Sequence, residues 1–126
     1  TNGEVRYNYP VHHKHIFFEN MFPIQAAMFK KELYEQVGGI DESLEWLEDW
    51  DLWIKFSMHS DFSFVNKTTS VYYVPGDKEI IKNRLYILKS YEKHIIQKYI
   101  KHREIHHIKK PNKFKKVFYK INRFFG

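Results

Sequence analysis

Apolar residues in this chain recur with two different periods, and the change of period divides it into elements. Phe29, Leu33 and Val37 step by four, which predicts a short helix over 30–37. Gly38 and Gly39 follow directly, and a glycine there supplies the left-handed residue that closes a helix. Residues 40–47 read as a loop with an Asp-Glu-Ser turn signal. Leu52 and Phe56 lie four apart, Trp53 and Phe56 three apart, predicting a second helix from about Glu48 to the His59-Ser60-Asp61 stretch. Pro75-Gly76-Asp77 is a turn. Beyond it Ile81, Leu85, Leu88, Ile95 and Tyr99 predict one long helix over 78–107, which Pro111 breaks. Residues 112–125 repeat the helical pattern, with Phe114, Val117, Phe118, Ile121 and Phe125 on one face and lysines around it.

Three other segments have strand character. Residues 23–29 form a short apolar run; 62–65 and 70–74 are rich in aromatic and β-branched residues. Residues 1–22 show little periodicity beyond a weak alternation at Tyr7, Tyr9 and Val11. The expected fold is therefore α/β, followed by a helical extension.

The chain has 126 residues, with 43% hydrophobic and 18% aromatic positions, enough for one domain with a packed core. There is no cysteine, so disulfide and thiolate chemistry are excluded, and a reducing, cytoplasmic setting is expected. No apolar run reaches the roughly 20 residues of a membrane-spanning helix. Charge divides sharply. Residues 1–76 carry 6 Lys/Arg against 11 Asp/Glu, a net of −5; residues 77–126 carry 15 against 4, a net of +11. The chain is accordingly read as an acidic front over 1–76 and a basic amphipathic extension over 77–126.

The candidate chemistry sits in Gly38-Gly39-Ile40-Asp41-Glu42 and in Glu48-Asp49-Trp50-Asp51-Leu52-Trp53. Adjacent carboxylates at a helix start cannot point the same way. One can cap backbone N–H groups while the other projects and accepts a proton as a general base. Trp46 and Trp50 could offer flat apolar faces to a sugar ring. A plainer reading has Glu48, Asp49 and Asp51 only capping and charging the helix. The histidines at 12, 13, 15, 106 and 107 have the wrong spacing for two ligands on one helix face, so no metal site is expected.

Three pieces in order, Phe22-Pro23-Ile24-Gln25-Ala26-Ala27-Met28-Phe29-Lys30-Lys31-Glu32-Leu33, Val37-Gly38-Gly39-Ile40-Asp41-Glu42 and Leu47-Glu48-Asp49-Trp50-Asp51-Leu52-Trp53-Ile54-Lys55, resemble the acceptor-side half of family 2 glycosyltransferases with the GT-A fold. The resemblance covers about residues 16–74 and carries the expectation of a partial mixed sheet. It implies that Asp49 is the catalytic base of an inverting transfer from a nucleotide-sugar to a carbohydrate or lipid-linked acceptor hydroxyl, in cell-surface polysaccharide synthesis. It further implies substrate contacts from Gly38, Gly39, Asp41, Glu48 and Trp50. The family's preceding nucleotide-binding half, with an Asp-x-Asp pair on Mg or Mn, has no counterpart in these residues. Asp49-Trp50-Asp51 matches the other motif and is not read as that metal site. The chain thus resembles a C-terminal fragment without a cofactor of its own, inactive alone. The alternative is a non-catalytic sugar-binding or membrane-docking module. Exposed strand edges would favour a homodimer. Residues 112–126 would suit an anionic membrane, placing the protein at the inner face. No nucleic-acid motif accompanies the basic residues, so nucleic acid is not an expected partner.

Overall fold

The computed structural model describes residues 11–71, 73 and 75–111. Its elements are α1 (His13–Ile16), α2 (Lys31–Gln36), α3 (Glu48–Ser57), α4 (Lys78–Lys98) and α5 (Ile100–Ile105), with a single 3-10 turn at Ile24–Ala26. The expected helices at 30–37 and from Glu48 are present. The helical pattern at 112–125 and the alternation at Tyr7 and Tyr9 lie outside the described residues.

The α/β expectation, and with it the GT-A half-domain and its mixed sheet, is corrected: the described residues contain helices and no strand. The reason lies in backbone pairing. A strand's N–H and C=O groups must be met by a neighbouring strand, and none of the three segments has one among the described residues. Pro23 leads into the 3-10 turn rather than a ladder, and Met28 is 99% exposed. Phe62 packs edge-on against Phe22 with centroids 5.8 Å apart, but Phe64, Val65, Val71 and Tyr73 beyond it are exposed. β-branched and aromatic composition records a fit to a half-buried pleated surface, and without that surface it selects nothing. The strand edges expected to favour a homodimer are therefore not formed among the described residues.

The core is organised around α3. Trp50, Asp51, Leu52, Trp53, Ile54 and Phe56 are all buried, so this ten-residue helix is covered on nearly every side. Segments from both ends of the chain wrap it. From the N-terminal side, Ile16, Phe17 and Met21 pack on it, and the two indoles donate to that segment's backbone: Trp50 Nε1 to Ile16 O at 2.6 Å and Trp53 Nε1 to Phe22 O at 3.1 Å. A buried indole thus keeps both its apolar area and its one hydrogen bond. Phe29 adds edge-on contacts to Trp53 and Phe56. From the C-terminal side come Ile95 and Tyr99. The basic half thus contributes two buried side chains to this core.

Helix ends follow local chemistry. Gly39 N donates to Tyr34 O at 2.9 Å and Gly38 N to Glu35 O at 3.1 Å, the paired bonds of a Schellman closure, with Gly38 at φ +79°. At the start of α4, Asp77 Oδ1 accepts from Glu79 N at 2.8 Å and Ile80 N at 3.0 Å. The predicted single helix over 78–107 is two helices, interrupted at Tyr99 (φ −103°, ψ 11°), whose hydroxyl is held by α3. Helix α5 closes as α2 does, with His107 at φ 52° in the left-handed position.

Candidate functional site

The first turn of α3 carries both candidate carboxylates of the Asp49-Trp50-Asp51 triplet. Two residues along a helix rotate a side chain by about 200°, so Asp49 and Asp51 emerge on opposite flanks. Their surroundings differ completely.

On one flank, Asp51 is 0% exposed, with hydrogen bonds to Oδ1 and only an ion pair at Oδ2. Its Oδ1 accepts from Tyr99 Oη at 2.7 Å and from Lys98 Nζ at 2.8 Å, and Oδ2 lies 3.3 Å from Lys55 Nζ. Lys98 Nζ also donates to Asp41 Oδ2 at 2.8 Å. Asp41 Oδ1 in turn accepts from Ser43 N and Ser43 Oγ, an Asx-type turn. Lys55 Nζ donates to the Gly39 carbonyl. The loop after α2, the first turn of α3 and the end of α4 are thus tied together by two lysines. The hydrogen bond from Lys98, with those from Ser43, holds the Asp41 carboxyl well below the usual range. Burial opposes the Lys98 charge, but the bonds to Asp41 and Asp51 outweigh it and raise its pKa. Burial, then the bond to Asp51, pushes the Tyr99 phenol upward.

On the other flank, Asp49 is half-buried. Its Oδ1 accepts from Trp50 N at 2.7 Å and from Asn20 Nδ2 at 3.1 Å, whereas Oδ2 takes no hydrogen bond among the described residues. One oxygen is pinned by two donors and the other is left open. Burial raises the Asp49 pKa, and the neighbouring Glu48 charge adds to this, against the lowering effect of the Trp50 N–H, the Asn20 amide and its own backbone N–H. Glu48 makes no hydrogen bond or ion pair of its own among the described residues, so Asp49, not Glu48, satisfies the backbone N–H here. Leu47, which opens the helix, has φ 61° and ψ 24°. A left-handed leucine costs about 1–2 kcal/mol. Its burial in the core secures the conformation, which sets the direction in which Glu48 and Asp49 leave the loop.

The sequence-derived site residues therefore separate. Gly38, Gly39 and Asp41 come together on the Asp51 flank, where each has a structural task. A Cβ on Gly39 would sit 2.8 Å from the Tyr34 ring, whose hydroxyl accepts from Ile40 N. Trp50 is 1% exposed and offers no face to a ligand. Trp46 keeps a half-exposed ring, with the Arg84 guanidinium 5.5 Å from its centroid. Only Glu48 stays beside Asp49.

Asn20 is the partner of Asp49 that sequence reasoning does not single out. It lies 29 positions from Asp49, is 9% exposed, and its Oδ1 has no hydrogen-bond partner. The available signal was a polar pair, Glu19-Asn20, inside the aromatic run Phe17-Phe18 to Phe22. A buried amide held in such a run needs a partner. Among the described residues no three His, Asp or Glu side chains are grouped to hold a metal ion, and no helix is long and apolar enough to cross a membrane. Comparison of the chain with protein-family models, with curated proteins and with solved structures finds no match.

Proposed function

We propose that Asp49 is the general base of an inverting glycosyl transfer and that Asn20 positions it. The observation that supports this is the asymmetry of the Asp49 carboxyl. Oδ1 is fixed by Trp50 N and Asn20 Nδ2, Oδ2 is open, and burial raises the pKa. A base works best when its pKa is drawn from the ordinary carboxylate value toward the working pH. In the proposed step Oδ2 takes the proton of an acceptor hydroxyl. The freed oxygen pair forms a bond to the anomeric carbon of the donor sugar, and the bond to the nucleoside diphosphate breaks with its electron pair on the phosphate oxygen. Glu48, adjacent in sequence and free of other ties, is the second candidate for contact with the acceptor.

The donor in this reading is a nucleotide-sugar and the acceptor a carbohydrate or lipid-linked hydroxyl, with the protein in the cytoplasm at the inner membrane face. A divalent metal would belong with nucleotide-binding residues. The described residues supply no fitting cluster, and no step is routed through a metal here. The order of the three motif pieces and the open Oδ2 support the reading; the sheet of the family's fold does not enter it.

The test is Asp49→Asn in the complete transferase. Transfer should fall by at least about 10³-fold, within the range general-base catalysis supplies, while nucleotide-sugar binding stays within twofold. Asn20→Ala should lower turnover by a smaller factor and shift the acidic limb of the pH–rate profile. Full activity in the Asp49→Asn enzyme would remove Asp49 from the mechanism.

A further inference from the structure

Helix α4 is held to the core through Ile95 and the partly buried Leu88 and Tyr91, and Ile81 near its start is also buried. Its free side carries Lys78, Lys82, Lys89 and Lys93, at spacings of four, seven and four. Those spacings set the lysines along one flank of the helix, over about 22 Å at 1.5 Å per residue. All four are exposed, and none forms an ion pair among the described residues. Glu79 and Glu92 lie three residues from Lys82 and Lys89, a spacing that could pair, yet neither does so. Tyr86, on the same flank, is 80% exposed. By contrast, the lysines of the Asp51 network are both spent on carboxylates.

We propose that this flank of α4 docks on the headgroups of an anionic lipid bilayer. Charge complementarity and the type of cation both point there. The unpaired cations on this flank are all lysine, a hydrated point charge suited to a diffuse anionic surface. The two arginines among the described residues are occupied: Arg84 lies over Trp46, and Arg103 lies over Phe18 and donates to Ile96 O. An exposed tyrosine among lysines suits the headgroup level, where an apolar ring with a polar tip is favoured. The sequence after Pro111 continues the theme, with five Lys/Arg, four Phe and no carboxylate in residues 112–126. This inference is independent of the role of Asp49.

The test is co-sedimentation of the full 126-residue chain with phosphatidylcholine vesicles containing about 30% phosphatidylglycerol, set against pure phosphatidylcholine. The quadruple variant Lys78→Gln, Lys82→Gln, Lys89→Gln, Lys93→Gln is run alongside, with circular dichroism to verify its helices. The expected result is binding to the anionic vesicles only, weakened by raising salt and reduced at least tenfold in the variant. Equal binding of variant and parent would overturn the proposal, as would failure of the parent to bind. Tighter binding of a 20-mer DNA or RNA at the same salt, lost in the same variant, would overturn it in favour of a nucleic-acid surface.

Discussion

Asp49 and Asp51 stand two residues apart on the same helical turn, and the contrast between their flanks separates a residue that holds the fold from one whose second oxygen is open. Asp51 is closed off, with Tyr99, Lys98 and Lys55 around it, and it joins α3 to the end of α4. Asp49 has one oxygen fixed and the other open, in a site that disfavours its charge. The same side chain under the same helix dipole reaches two outcomes because its neighbours differ. An acidic cluster at a helix start is therefore not one feature but two, and only three-dimensional surroundings separate them.

The largest effect is expected from breaking the closed flank. Asp51→Ala leaves the Tyr99 hydroxyl buried without its acceptor and two lysines without a shared anion. Loss of one partner from a buried charged network costs about 3–5 kcal/mol. The lower figure is expected here because Lys98 is partly exposed and keeps Asp41. Urea denaturation followed by tryptophan fluorescence measures it. A cost below about 1 kcal/mol would make the network an ornament of the surface.

The glycine pair is next. Gly38 and Gly39 both have positive φ, but a Cβ on Gly38 meets open space while one on Gly39 meets the Tyr34 ring. Gly38→Ala should cost about 1 kcal/mol, the left-handed penalty alone. Gly39→Ala adds a clash, at about 1–3 kcal/mol for overpacking. Equal costs for the two would mean that Tyr34 moves aside easily. Chemical denaturation of both variants under identical conditions makes the comparison.

The smallest effect has the opposite sign. The Asp49 pKa is raised in the folded protein, so its contribution favours folding below the ordinary carboxylate value and is lost as pH rises through the raised one. At neutral pH the ionised group is then a cost. Asp49→Asn keeps an acceptor for Trp50 N and Asn20 Nδ2 and removes the charge. It should stabilise the chain by about 0.5–1 kcal/mol at pH 7, the usual size when a strained functional group is relieved. The gain should vanish near pH 3, where both states of the parent are protonated. The Asp41–Lys98 pair behaves the other way. Asp41 contributes stability above the ordinary carboxylate value and loses it as pH falls toward its depressed one, whereas Lys98 contributes below the ordinary lysine value and loses it as pH rises through its raised one.

The helices were legible in the sequence because their information is local. The step-of-four pattern, the double glycine and the acidic first turn place α2 and α3 nearly to the residue. The sheet was misread because strand composition has meaning only against a partner, and Phe64, Val65 and Tyr73 have none among the described residues. The break at Tyr99 was hidden because an apolar tyrosine in helical register looks like core, while its hydroxyl is what α3 holds. At the site, Asp49 was singled out on its motif. Its support was invisible: Asn20 lies 29 positions away, and Leu47 gives no sign in sequence of adopting a left-handed backbone.

The titration of the Asp49 side chain, followed by its ¹³Cγ shift in the selectively labelled chain with Asp49→Asn for assignment, bears most directly on this contrast. The account predicts that Asp49 titrates above the ordinary aspartate value while Asp41 stays ionised well below it, and that Asn20→Ala shifts the Asp49 midpoint further upward by removing a donor to its charged form. An Asp49 midpoint at or below the ordinary value would contradict it, since a carboxyl that holds its charge without cost is a helix cap and not a poised base.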